Sequence, residues 1–221
     1  DLVVRGDCCP DIVLSADRVR PRFGQAEPLV SECTVAIGGS GTITACRAAE
    51  LGMSVALVSV VGDDLFGRDL RGRIAAYGVD VSTVRVDQRH PTGVTVVLNE
   101  PSDRAMLTAS GGIGLLTARE VPPEVLSRAG HVHVSSYFLQ IGLQEGLRDL
   151  LARARAAGST TSLDTNWDPD DRWAVPADLL SQVDVLSVNA AEARRLAGAG
   201  NSVESAARSL AKRAGTVIGK Q

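Results

Sequence analysis

Apolar residues come in short runs along this chain, and two kinds of interval separate them. Leu2-Val3-Val4 is a continuous apolar run that stops at Gly6, the pattern of a buried strand. Asp11 to Leu14 reads as a second, shorter strand. Leu29 to Ile37 alternates loosely after a charged stretch holding Arg18, Arg20, Pro21, Arg22 and Pro28. Gly38-Gly39, Gly41, a series of small side chains and Gly52 then predict a strand-to-helix turn and a helix. Val55 to Val61 is the clearest buried strand and runs into Gly62-Asp63-Asp64. Leu65, Phe66, Leu70, Ile74 and Tyr77 recur at helical spacing, with Gly78 placed to end the helix. Thr92 to Leu98 and Ala105 to Ala109 flank the turn-forming Asn99-Glu100-Pro101-Ser102-Asp103 and predict a hairpin. Thr117-x-x-Glu120 resembles a capping box before a short helix. His131 to Val134 alternates strictly, as a strand does. Leu143, Leu147, Leu150, Leu151 and Ala154 mark one helix face, closed by Gly158. Thr161 to Asp164 and Val183 to Val188 are strands, Asn189 to Leu196 and Val203 to Ala214 helices, and Thr216-Val217-Ile218 begins a last strand.

Strands alternate with helices over most of the chain, which predicts βαβ units and an α/β fold with a mostly parallel, doubly wound sheet between helix layers. Residues 12–37 and 92–109 break the alternation with strands alone. They are expected to pair into a small antiparallel sheet over one end of the main one. The core is then 1–11, 38–91 and 110–221.

Composition narrows the classes. The chain has 221 residues, 44% of them apolar and 3% aromatic, so a core of Ala, Val, Leu and Ile is expected. A net charge of −3 gives no broad basic face, and nucleic acid is an unlikely partner. Cys8, Cys9, Cys33 and Cys46 match no zinc spacing and suit reduced thiols in the cytoplasm. No apolar run approaches a membrane span. The chain opens on Asp1 and ends inside a strand, so it is expected to be part of something longer.

Ligands of doubly wound sheets sit outside the carboxyl ends of the strands. Asp11, Gly38-Gly39, Gly62-Asp63-Asp64, Asp164-Thr165-Asn166 and Asn189 to Glu192 all fall there. Each has a plainer reading too. Asp63 or Asp64 suits a helix cap, Asp164-Thr165-Asn166 an Asx turn, and Asn189-x-x-Glu192 a capping box. His131 and His133 lack a third metal ligand and read as structural. Gly39-x-Gly41-x-x-Thr44 departs from the dinucleotide fingerprint at its third glycine. Gly215-x-x-x-Gly219-Lys220-Gln221 is one residue short of a P-loop and lacks its Ser or Thr.

In order and spacing, these residues resemble the ribokinase-like (PfkB-type) carbohydrate kinases along the whole chain. Gly38-Gly39 to Leu51-Gly52 looks like the N-terminal signature of that family, and Gly62-Asp63-Asp64-Leu65-Phe66-Gly67 like its G-x-D-x-x-G turn. Pro91-Thr92-Gly93-Val94 with Arg104 resembles its lid hairpin, Asp164-Thr165-Asn166 its D-P-N element, and Asn189-x-x-Glu192 its N-x-x-E element. The resemblance implies a ribokinase-like three-layer fold with 12–37 and 92–109 as a β lid. It also implies phosphoryl transfer from ATP, with Mg2+, to a hydroxymethyl group of a sugar or similar alcohol. Asp11, Gly38, Gly39, Gly41, Ile43 and Arg104 would then bind substrate. Asp164, Asn166, Asn189, Glu192 and Lys220 would lie by the nucleotide, with Glu192 reaching the metal through water. Pairing of two copies through the lid is a further implication.

Two departures from that pattern matter. Ile43 stands where the family has a sugar-binding Asn, which suits a less polar substrate. The catalytic Asp of the later G-A-G-D element has no match in 1–221 and is expected beyond Gln221. Two rival readings remain: a non-catalytic sugar- or nucleotide-binding regulatory protein of the same fold, and, on the partial glycine match alone, a nicotinamide-dependent oxidoreductase.

Overall fold

The structure, a computed structural model, describes residues 1–198 and 202–220. Gln221 lies outside them. The elements run β1 (Leu2–Arg5), β2 (Cys9–Ser15), β3 (Glu32–Gly38), α1 (Ser40–Glu50), β4 (Val55–Gly62), α2 (Leu65–Ala76), β5 (Val84–Asp87), β6 (Val94–Glu100) and β7 (Asp103–Ala109). After them come α3 (Pro123–Ser127), β8 (His131–Val134), α4 (Ile141–Ala156), β9 (Thr160–Asp164), α5 (Ala177–Leu180), β10 (Val185–Asn189), α6 (Ala190–Ala197), α7 (Val203–Leu210) and β11 (Thr216–Lys220).

Seven strands form one sheet in the order β11-β10-β9-β8-β1-β4-β5, and every neighbouring pair is parallel. The helices divide between its faces. Val3, Val132, Val134, Leu163, Leu186 and Val188 pack with residues of α4 to α7 on one side. Leu2, Val4, Val55, Leu57 and Val61 pack with α1 and α2 on the other. Strands covered on both faces are apolar nearly throughout, which is why β1 opens on Leu2-Val3-Val4 and β4 breaks its apolar run only at Ser59, whose hydroxyl donates to the Gly6 carbonyl. β8 has only Val132 and Val134 in such a cluster, so its sequence alternates. The expected α4 face is buried outright: Leu143, Leu147, Leu150, Leu151 and Ala154 are all 0% exposed. Each of those leucines contributes at most about 2 kcal/mol.

The two strand-only segments pair with each other as a four-stranded sheet, β3-β2-β6-β7. It is mixed rather than antiparallel. β2 and β6 run parallel with Asp11 opposite Thr95, while β2–β3 and β6–β7 are antiparallel hairpins. The β6–β7 turn is tighter than its sequence suggests. Asn99, Glu100 and Asp103 belong to the ladder, leaving Pro101-Ser102 to make the bend. Thr117 and Glu120 do pair, with Glu120 accepting from both the Thr117 amide and hydroxyl, but they frame a 3-10 turn. Among the described residues no helix is long and apolar enough to cross a membrane.

Candidate functional site

Parallel strands put all their carboxyl ends on one edge. β1 is the point where the winding reverses, with β4 on one side and β8 on the other. A crevice at such a point is where ligands of doubly wound sheets bind. Two groups of polar residues meet that edge.

The first group surrounds the start of α1. Its backbone crosses the end of β1 so closely that a Cβ on Gly6 would lie 2.5 Å from the Gly41 Cα. Gly39 precedes the helix at φ +79°, a conformation that costs glycine little. Gly39 has no side chain with which to cap the helix. Asp7 does so from the end of β1: Oδ2 accepts from the Ser40 amide at 3.2 Å and Oδ1 from the Gly41 amide at 3.0 Å. The Asp7 carbonyl takes the Thr42 amide at 3.2 Å. The first-turn amides are thus already satisfied, and this helix start is no phosphate cradle. Ser136, at φ +55°, donates its hydroxyl to Asp7 Oδ1 at 2.9 Å. Asn166 donates from Nδ2 to Ser136 Oγ at 3.2 Å and Ser40 Oγ at 3.4 Å. Burial raises the Asp7 pKa against the pull of its donors Gly41, Ser136 and Ser40.

Asp11 lies beside this group. Its carboxylate fills the space where a Cβ of Gly38 would stand, so the first glycine of the pair makes room for it. Neither carboxylate oxygen has a hydrogen-bond partner among the described residues. Burial and then the charge of Asp7 raise its pKa, while Arg104 acts in the opposite direction. A half-buried carboxylate without donors is ready to accept hydroxyls from a ligand. Ile43 is 43% exposed and sits three residues beyond Ser40, on the same side of the helix. Arg104 is exposed on β7 and reaches Asp11 only through its field.

The second group caps β9, β10 and β11. Asp164 Oδ1 accepts from Lys220 Nζ at 2.8 Å and from the Asn166 amide at 3.1 Å. Asn189 and Glu192 form the capping box of α6: the Glu192 amide donates to Asn189 Oδ1, and Glu192 accepts from the Asn189 amide and Nδ2. Glu192 is 2% exposed. Burial raises its pKa, the Asn189 hydrogen bond and Lys220 oppose this, and Asp164 adds to it. Asn166, expected with the nucleotide residues, is therefore shared: its amide joins Asp164 and its side chain joins the α1 group. Lys220 is exposed at this edge and is already paired with Asp164. Among the described residues no group of three or more His, Cys, Asp or Glu side chains converges on a metal. A magnesium ion would have to be held largely by phosphate oxygens and water, which that ion accepts.

Gly62-Asp63-Asp64 proves to be a clasp. Asp64 caps α2 through the Gly67 amide at 2.8 Å and accepts from both the amide and the hydroxyl of Thr92, each at 2.7 Å. Thr92 Oγ1 in turn accepts from the Gly62 amide. The clasp thus ties α2 to the place where the chain leaves for β6. His131 pairs with Thr160 and Ser162, and His133 with Ser162, which links β8 to β9.

Sequence reasoning missed Asp7 and Ser136. The available signal was position, because each follows the apolar end of a central strand; Asp11, a few residues on, drew the attention.

The profile of the pfkB family carbohydrate kinases matches residues 1–221. The chain is 26% identical over 166 residues to a ribokinase of Haemophilus influenzae, covering 74% of this chain and 52% of that protein. It is 27% identical over 164 residues to a 2-dehydro-3-deoxygluconokinase of Bacillus subtilis, covering 72% and 50% respectively. It therefore spans about half the length of the curated relatives it matches. Among solved structures, Arabidopsis thaliana ribokinase complexed with ribose and ATP superposes with a TM-score of 0.79 at 22% identity, over 99% of this chain and 71% of that one.

Proposed function

Since the chain belongs to the pfkB family of carbohydrate kinases, we propose that the whole protein moves the terminal phosphoryl group of ATP to a hydroxymethyl oxygen of a sugar or related small alcohol. The observation that carries this reading is Asp11: a carboxylate on β2 of the small sheet, a few residues beyond the end of β1, seated over Gly38 and left without donors. In the reaction the acceptor oxygen bonds to the γ-phosphorus, the bond to ADP breaks, and the acceptor proton leaves to a base. Such chemistry is mostly positioning and charge stabilisation. Asp11 and the Gly38–Gly41 backbone would fix the acceptor, and the β3-β2-β6-β7 sheet would act as a lid that excludes water. Lys220 would meet a phosphate, with Asn189 close by. Glu192 would reach a magnesium ion through water; that ion's part would be to neutralise phosphate charge. The element carrying the base has no counterpart in residues 1–221.

The test is ADP release by the full-length protein with ATP and Mg2+ against D-ribose, D-fructose, 2-keto-3-deoxygluconate and adenosine. Turnover that depends on one acceptor is the expected result. Silence across a wide panel of sugars, sugar acids and nucleosides would sink the reading. Ile43 in place of the family's Asn favours a second one, a regulatory protein that binds without turnover. Its mark is thermal stabilisation by an acceptor with no ADP released.

A further inference from the structure

Asp7 is 3% exposed, and its carboxylate receives three donors from two segments far apart in the chain. Two are the Ser40 and Gly41 amides at the start of α1, and the third is the Ser136 hydroxyl after β8. Ser136 also receives the Asn166 side chain, from the loop after β9. One buried carboxylate thus joins the carboxyl ends of β1, β8 and β9 to the Gly38–Gly41 turn. That turn contains the open space that Asp11 fills. The adjoining close contact of Gly6 with Gly41 leaves the turn no slack on its other side.

We infer that Asp7 is a positioning residue for the acceptor pocket: it fixes the Gly38–Gly41 backbone and the Ser136–Asn166 pair so that Asp11 and Asn166 face one substrate. This rests on the kinase reading for its substrate but not for its geometry. Asp7 touches no substrate itself, since its donors occupy both of its oxygens. Its effect should therefore fall mainly on the acceptor, because Lys220 and Glu192 make no direct contact with it and Asn166 meets the Asp164–Lys220 pair through its backbone amide, not through the side chain that Asp7 helps to place. A cap that served α1 merely as a helix would lower stability without separating the two substrates.

The test compares Asp7→Asn and Asp7→Ala with the wild type in the full-length protein, with Ser202→Ala as a control. Ser202 caps α7 through the Ser205 amide and lies outside the site. Initial rates are measured over a range of D-ribose, D-fructose or 2-keto-3-deoxygluconate, whichever turns over, and separately over ATP. The expected result is an acceptor KM raised about tenfold to a hundredfold, the scale of a lost charge-assisted hydrogen bond. The ATP KM should stay within about twofold, and Asn, which keeps an acceptor oxygen, should lose less than Ala. Ser202→Ala should lower Tm and leave both KM values in place. Equal changes in the two KM values, or none, overturn the inference.

Amide hydrogen exchange of the same variants provides a readout that needs no turnover. Residues 40–42 should exchange faster in Asp7→Asn, with 65–70 of α2 unchanged; protection retained at 40–42 overturns the inference. A protein inactive on every acceptor but with 40–42 exposed by the substitution would defeat the kinase reading and leave the geometric role of Asp7 standing.

Discussion

Two carboxylates near the start of α1 show how environment divides roles at the scale of single residues. Asp7 is buried with three donors, and Asp11 is half buried with none. Burial and the neighbouring Asp7 raise the Asp11 pKa in the folded state, so ionising it opposes folding. Its stabilising share is present at low pH and fades as pH climbs through the raised value. Asp11→Asn is accordingly expected to hold or raise neutral-pH stability, by up to about 1 kcal/mol, while abolishing detectable acceptor binding by calorimetry. A large drop in Tm would contradict this. His133 works in the reverse sense. Burial pushes its pKa down to about 4, so the unfolded chain takes up a proton near pH 6.5 that the fold refuses. Stability from this residue is complete above about 6.5 and lost as pH falls towards about 4. Thermal melts of His133→Gln should show a shallower decline across that interval, by about 3 kcal/mol. At this scale the sequence singled out Asp11 because it follows the first strand and its turn. It hid Asp7, whose partners lie 33, 34 and 129 residues away.

Among the elements, legibility followed the number of covered faces. β1, β4 and β8 were plain because two covered faces give an apolar run and one gives alternation. β5 escaped because it is a four-residue edge strand with Arg85 in its middle. The parallel pairing of β2 with β6 could not be read locally, since strand direction is set by how the chain crosses, not by which residues alternate. The Asp64 clasp was half legible. The helix cap was foreseen, while its hold on Thr92 depends on a chain crossing 28 residues later. Asp64→Ala removes a cap and two bonds to Thr92, and should cost about 2–3 kcal/mol in urea unfolding. A loss below about 1 kcal/mol would show that water replaces the clasp.

For the molecule as a whole, the small sheet presents the row Val35, Ile12, Val96 and Leu107 on one face. Val35 is 46% and Leu107 62% exposed. We propose this row as the seam between two copies of the chain, in line with the expected lid-to-lid pairing. Leu107→Lys should convert a dimer to a monomer in sedimentation velocity at micromolar concentration, and a wild type that is already monomeric there refutes the pairing. The two-layer helix cover and the separate small sheet were legible as breaks in the strand–helix alternation. What the chain's own alternation could not disclose is the dependence of one element on another. Asp7 lies 33 and 34 residues ahead of its donors Ser40 and Gly41, with the β2–β3 excursion between them. Closing a loop of about 33 residues costs about 3 kcal/mol in chain entropy before that cap returns anything. The β2–β3 hairpin, which sets Cys9 opposite Gly38, meets that cost and delivers residues 7 and 40 to each other, so loosening the hairpin should loosen the cap.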